Sequence, residues 1–68
     1  MEKYPVIIYW SEEDNRYLAE MPDLPGCIAD GTTEEEVRRN IAAVALDWVK
    51  MAAYMGRSIP APTPEVAA

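Results

Sequence analysis

The chain has 68 residues, with 12 acidic and 6 basic side chains, a net charge of −6, one cysteine and no histidine. A chain this short forms one small domain with a limited core, which favours association with other chains. The missing histidines exclude zinc fingers and histidine-based catalytic triads, and the acidic balance argues against direct nucleic-acid binding. A lone cysteine closes no intrachain disulfide, and no apolar stretch approaches the roughly 20 residues that span a membrane, so we expect a cytoplasmic protein.

Two strands joined by a hairpin are predicted near the start of the chain. Residues 4–10 are apolar and rich in β-branched and aromatic side chains, which indicates a first strand that is apolar on both faces. We therefore expect a helix to cover one face and something else to cover the other. Residues 16–21 form the second strand, in which Tyr17, Ala19 and Met21 share one face, and the five residues 11–15 form the loop.

A turn is predicted between the second strand and a short third strand at residues 27–30. The two prolines lack an N–H and the glycine tolerates positive φ, so the strand cannot continue through this segment. The turn comprises Pro22, Asp23, Leu24, Pro25, Gly26 and Cys27. Because no histidine is present to deprotonate it, the thiol of Cys27 is predicted to be buried and inert.

One long helix is predicted after the third strand. Thr33 is its expected N-cap, Glu36 completes a capping box, and Gly56 ends the helix just after Met55. Its apolar arc is about twice as wide as one sheet contact requires, which predicts that the surplus forms the interface of a dimer or tetramer. The predicted interface residues are Ile41, Ala45, Trp48 and Ala52. The alternative is that alanine-rich positions are helix formers left half exposed.

A search for catalytic or metal-binding groups predicts neither an enzyme nor a cofactor. Glu12, Glu13 and Asp14 share a hairpin loop, where carboxylates lack the fixed geometry that a metal ion requires. The acidic residues 34–36 are explained by the cap and dipole of the helix. Nucleotide-binding and acyl-transfer motifs are absent from the sequence.

The signature turn, Pro22 to Cys27, and its surroundings resemble the HicB-like antitoxin domain. The matching pattern also includes Tyr17, Ala19, Gly31, Thr33, Glu35, Glu36 and Asn40. The likeness runs from Tyr4 to the segment Ile59-Pro60, so we expect a HicB-like domain at residues 1–59 followed by a proline-rich C-terminal tail at residues 60–68. It implies an α+β fold, partial ribonuclease H-like, in which a three-stranded antiparallel sheet precedes one long helix. Ribonuclease H activity is not implied, because residues 4–10 contain no carboxylate to hold a magnesium ion.

The resemblance also implies a partner, a small basic HicA-type toxin that cleaves RNA. Our leading hypothesis is a non-catalytic antitoxin that associates with itself and inhibits such a toxin through Glu12, Glu13, Asp14 and Glu20. Because eleven residues follow Arg57, three of them proline, we expect a short stand-alone member without the DNA-binding segment that allows autorepression. The alternative is an orphan homo-oligomeric scaffold with no toxin partner. A third hypothesis is a divergent nuclease, which metal-dependent cleavage of an RNA–DNA hybrid by the purified protein would support.

Overall fold

The computed structural model describes residues 4–62. Its elements are β1 (Ile7–Ser11), β2 (Arg16–Glu20), β3 (Ile28–Gly31) and α1 (Glu34–Tyr54). The strands form an antiparallel sheet in the order β1-β2-β3, and α1 packs across β2 and β3. The predicted three-stranded sheet followed by one long helix is confirmed.

The first strand begins three residues later than predicted, because its neighbour turns away. In the register that pairs Ile7 with Glu20, Val6 would face Met21. The N–H of Met21 donates to the Cys27 carbonyl at 3.0 Å, on the β3 side, and its carbonyl accepts from Leu24 N–H at 3.0 Å. The next residue on the side of β1 is Pro22, which has no N–H to donate, so the ladder between β1 and β2 ends at the pair of Ile7 and Glu20.

The hairpin loop is one residue shorter than predicted. Ser11 is the last residue of β1 and pairs with Arg16, so the loop comprises residues 12–15. Asn15 adopts a φ of 53°, in the left-handed region that asparagine tolerates better than most residues. This conformation allows the chain to reverse within the shorter loop.

The core lies between the sheet and α1. Ala19 and Met21 of the second-strand region are buried there, as the alternation of that strand predicted, and Tyr17 packs against them. The largest fully buried side chains come from the signature turn and the helix, and they are Leu24, Cys27, Val37 and Ile41. A turn that lies outside the regular elements thus supplies two of the four main core residues.

The N-cap and the C-terminal stop of α1 lie at the predicted residues, but the predicted capping box is formed only in part. Thr33 is the N-cap, and its Oγ1 accepts a hydrogen bond from Glu36 N–H at 3.0 Å. The Glu36 carboxylate accepts from Thr32 N–H at 2.6 Å, one residue before the position that a standard capping box would use. At the other end Gly56 has a φ of 72°, and its N–H donates to the Ala53 carbonyl, which satisfies a terminal carbonyl group.

Acidification should weaken the cap of α1. The backbone hydrogen bond from Thr32 lowers the pKa of Glu36 below its ordinary value of 4.5. The carboxylate therefore stabilises the fold above pH 4.5, and this stabilisation is lost as the pH falls through the lowered pKa. We expect Glu36→Gln to be less stable than wild type at neutral pH, with the difference shrinking in acid.

Urea unfolding followed by circular dichroism over a pH series measures this effect. Glu34→Gln is the matched control, because it removes a carboxylate from the same helical turn without removing the bond to Thr32. A Glu36→Gln deficit that is independent of pH would contradict the assigned role of the carboxylate.

The segment after the helix returns to the start of the chain. The hydroxyl of Tyr4 donates a hydrogen bond to the Pro60 carbonyl, and Tyr4 is buried. The predicted tail at residues 60–68 is therefore in contact with the domain at its first residue, while residues 63–68 lie outside the described part. No helix within residues 4–62 has the length and apolar character needed to cross a membrane.

Candidate partner-binding surface

The sheet face that is turned away from α1 carries alternate residues of all three strands. Directly opposed residues of antiparallel strands share a face. Ile8, Ala19 and Ala29 form one such row and pack with the core on the helix side, so the flanking rows face away from the helix. These flanking rows and Arg16 define the open face, whose residues are Ile7, Tyr9, Arg16, Leu18, Glu20, Ile28 and Asp30.

The open face is mainly apolar, and its large side chains are exposed. Ile7 and Tyr9 are each 47% exposed, and Ile28 is 58% exposed. The sequence predicted that both faces of the first strand would be covered, but within residues 4–62 Ile7 and Tyr9 on the open face stay uncovered. Exposed apolar side chains grouped on one face are typical of sites that bind another molecule.

A shallow hollow of about 370 Å³ lies on the open face next to the hairpin. Its apolar lining from the open face comes from Leu18 and Ile28, and its polar lining from Asp14, Arg16 and Asp30; Ala29, whose side chain packs on the helix side, also borders it. Within it Arg16 Nε lies 2.7 Å from Asp30 Oδ2, so the cation on this face is already paired with a carboxylate. The hollow therefore combines apolar side chains with the carboxylates of Asp14 and Asp30.

The hairpin holds Asp14 beside this hollow. Its N–H donates to Ser11 Oγ at 3.2 Å, and the Ser11 hydroxyl donates to Asp14 Oδ2, also at 3.2 Å. Glu12 and Glu13 are exposed in the same turn. Local bonds across the loop thus fix one of the three predicted contact acids at the edge of the open face.

Glu20, the fourth predicted contact residue, lies on the open face itself. It stands directly opposite Ile7 on β1 and Ile28 on β3. The structure thus brings Asp14 and Glu20 to one surface together with apolar residues that were not predicted to take part in binding. The alternation of the first strand was the signal for Ile7 and Tyr9, whereas the short third strand offered no equivalent signal for Ile28.

The signature turn serves the architecture of the domain. Gly26 has a φ of 85°, Cys27 N–H donates to the Leu24 carbonyl at 2.9 Å, and Leu24 is fully buried. Burial raises the pKa of the Cys27 thiol, which favours the protonated, unreactive form, as predicted.

Within residues 4–62 no group of three or more acidic or cysteine side chains is arranged to hold a metal ion.

A family model for HicB-like antitoxins of bacterial toxin–antitoxin systems matches residues 4–67. The chain belongs to the HicB-like antitoxin family. The matched span includes the sheet, the signature turn and α1, so the resemblance predicted from the turn motif is confirmed. Membership supports an antitoxin role in general.

Two curated relatives are short proteins of similar length. A UPF0150 protein of Synechocystis sp. is 34% identical over 64 residues, which cover 94% of this chain and 86% of the relative. A UPF0150 protein of Thermoplasma acidophilum is 34% identical over 58 residues, covering 85% of this chain and 83% of the relative. No solved structure matches the chain, so the partial ribonuclease H-like likeness stays a prediction.

Three of the four helix residues predicted to form an oligomer interface are buried within the single HicB-like domain. Ile41 is 2% exposed and Ala45 is fully buried, both within the core of a single chain, and Ala52 is also buried. These three side chains have almost no surface to offer a second copy, so their assignment to an interface is corrected. The cause is that α1 packs the side of the helix that carries Ile41 and Ala45 against the sheet of its own chain.

Trp48, the fourth predicted interface residue, is half-buried and holds the signature turn. Its indole Nε1–H donates to the Pro25 carbonyl at 2.8 Å, and its ring packs against the core. Asn40 makes a similar connection, because its Nδ2 donates to the Asp30 carbonyl at 2.8 Å. Two helix side chains therefore fix the turn and the end of β3 against α1.

Trp48→Phe should destabilise the domain by about 1 kcal/mol, since the Pro25 carbonyl loses its donor while most of the ring packing is kept. Urea unfolding followed by circular dichroism measures the loss. Trp10→Phe is the control, because Trp10 is 46% exposed and its ring contact with Tyr17 survives in phenylalanine. Equal losses in the two variants would show that the bond to Pro25 contributes nothing.

Proposed function

We propose that this HicB-like chain binds and inhibits a small, basic HicA-type toxin that cleaves RNA, and that it has no catalytic activity of its own. The observation that carries the proposal is the family match over residues 4–67. In this account the antitoxin acts in the cytoplasm by covering the active surface of the toxin. The net charge of −6 supports it, because opposite charges steer such partners together.

An affinity pull-down from native lysate tests the proposal. The eluate is examined by mass spectrometry and assayed for RNA cleavage before and after denaturant strips the antitoxin away. We expect a small basic protein whose nuclease activity appears only after stripping. A mock pull-down with an unrelated acidic protein is the control. A basic protein that binds both baits equally, or that stays active in the complex, would overturn the proposal.

Self-association is the second candidate, either alone, as an orphan scaffold, or together with toxin binding. Its support is the exposed apolar surface at the C-terminal end of α1, where Met51 and Met55 are 58% and 56% exposed. Met51 and Met55 border a groove of about 330 Å³. These residues replace the buried stripe as the proposed contact between copies.

Light scattering on the purified chain tests self-association. We expect a dimer or tetramer of the 7.6 kDa chain. A monomer at high concentration would exclude the scaffold, whereas an oligomer with no latent nuclease in the pull-down would favour it over the antitoxin. A neighbouring reading frame that encodes a short basic protein would favour the antitoxin.

A further inference from the structure

The open face combines exposed apolar side chains with an excess of negative charge. Its apolar part is Ile7, Tyr9, Leu18 and Ile28. Its acidic part is Glu20, together with the carboxylates of Glu12, Glu13 and Asp14 at the hairpin. Because Arg16 Nε lies 2.7 Å from Asp30 Oδ2, no unpaired cation among residues 4–62 of this face compensates these acids.

This charge pattern decides between a second copy and a different partner. Two copies joined face to face would bring both sets of carboxylates together, and their arginines would already be paired. Like charges brought together across an interface cost free energy and oppose association. The groove on α1 differs, because it is bordered by one acid and one base, Asp47 and Arg57, and carries no such bias.

We infer that the open face of the sheet is the surface that binds the toxin, and that it recognises a basic protein surface with apolar side chains at its centre. This inference rests on the proposed function and adds the location of the contact. The apolar side chains of the face would supply most of the buried area of the interface, where burial supplies affinity. The hairpin acids would form a charged rim, and Glu20, on the central strand between Ile7 and Ile28, would place a carboxylate among the apolar side chains. These charges would set the rate and salt dependence of association.

A pair of matched variants separates the open face from the helix groove. Ile28→Lys and Met51→Lys add the same charge at positions with the same exposure, 58% in each case, on the open face and on α1 respectively. Circular dichroism establishes that both variants are folded. Glu20→Gln removes charge without changing shape and serves as a second open-face variant, with Glu34→Gln on the helix as its control.

The probe is a helical peptide with leucine along one side and lysine along the other, compared with a counterpart that carries glutamate in place of lysine. Both are titrated into the full chain by calorimetry, and the contact is mapped by amide chemical shifts. We expect only the lysine peptide to bind, with shifts concentrated on β1, β2 and β3. Ile28→Lys should weaken binding about tenfold and Met51→Lys less than about twofold.

The variants that remove a charge test the electrostatic contribution to binding separately. Glu20→Gln should reduce the dependence of affinity on salt, and Glu34→Gln should leave it unchanged. Equal losses for Ile28→Lys and Met51→Lys, shifts centred on the α1 groove, or no binding of the lysine peptide would each overturn the inference.

The peptide experiment needs no toxin, so its failure and that of the proposed function can be told apart. If the lysine peptide binds the open face but the pull-down yields no toxin, the antitoxin proposal fails, while the open face remains a site for a basic, apolar partner. A toxin whose affinity is lowered by Met51→Lys and not by Ile28→Lys would uphold the antitoxin proposal and move its contact to α1.

Discussion

Leu24→Ala is expected to remove about half of the stability of the domain. Leu24 is fully buried and belongs to the core with Met21, Val37 and Ile41. Truncating a leucine in such a site costs about 2–5 kcal/mol, through lost burial and the cavity left behind. A domain of this length has a total unfolding free energy of about 3–10 kcal/mol, so the variant should unfold at a much lower urea concentration than wild type.

Urea unfolding followed by circular dichroism, with wild type in parallel, measures this loss. Ile7→Ala is the matched control, because it also deletes aliphatic carbons, but from a side chain that is 47% exposed. We expect it to cost about 1 kcal/mol or less. If Leu24→Ala unfolded at the same urea concentration as Ile7→Ala, the signature turn would not be the anchor of the core.

The core position of Leu24 also bears on function. The residues flanking Leu24 place the chain in its family, yet this turn carries no exposed chemistry beyond its acidic residue. Loss of toxin binding in Leu24→Ala is therefore expected to follow the unfolded fraction, and not to reflect a lost contact. If the proposed toxin binds only the folded state, adding it should stabilise the variant by RT ln(1 + L/Kd), where L is the free toxin concentration, and so restore part of the folded population.

Gly31→Ala is expected to be the second most damaging change, at about 3 kcal/mol. A methyl group at Gly31 would lie 2.7 Å from the backbone nitrogen of Val37 and 3.0 Å from its Cα. Both atoms belong to the first turns of α1, so no side-chain rotation relieves the clash. The start of the helix would have to move away from the end of β3, which would disturb the packing of Val37.

Gly56→Ala separates this clash from the general cost of replacing glycine. Gly56 has a φ of 72°, but a methyl group there would meet nothing within 4 Å. Its replacement should cost about 1 kcal/mol from backbone strain alone. Amide shifts at the start of α1 should change in Gly31→Ala and not in Gly56→Ala. A smaller stability loss in Gly31→Ala than in Gly56→Ala would contradict the close approach.

Most of the architecture follows from signals that are local in the sequence. The cap at Thr33 and the stop at Gly56 depend on neighbours within one helical turn, and both were predicted at the correct residues. The strand ends were less accurate, because the start of β1 depends on where the turn after β2 ends the ladder. Strand pairing of this kind joins residues that are far apart in the sequence.

The candidate site was predicted only in part. Its acids, Asp14 and Glu20, stood out as charges in and beside a hairpin, but the contribution of Ile28 emerged only from the strand register. The assignment of Ile41 and Ala45 to an interface was wrong because helical periodicity shows how wide an apolar arc is, and not which part of it meets the sheet. Only the packed chain shows which apolar residues remain exposed.

The sequence by itself determined the element order, the helix caps, the signature turn and the acidic charge, because each depends on residue chemistry and short-range geometry. The tertiary structure alone decided that Trp48 binds the Pro25 carbonyl, that Gly31 meets the helix backbone, and which sheet face stays open. These features arise from contacts between segments whose relative positions no local pattern specifies. Within residues 4–62, one helix packs on one side of the three-stranded sheet, so the other side stays open.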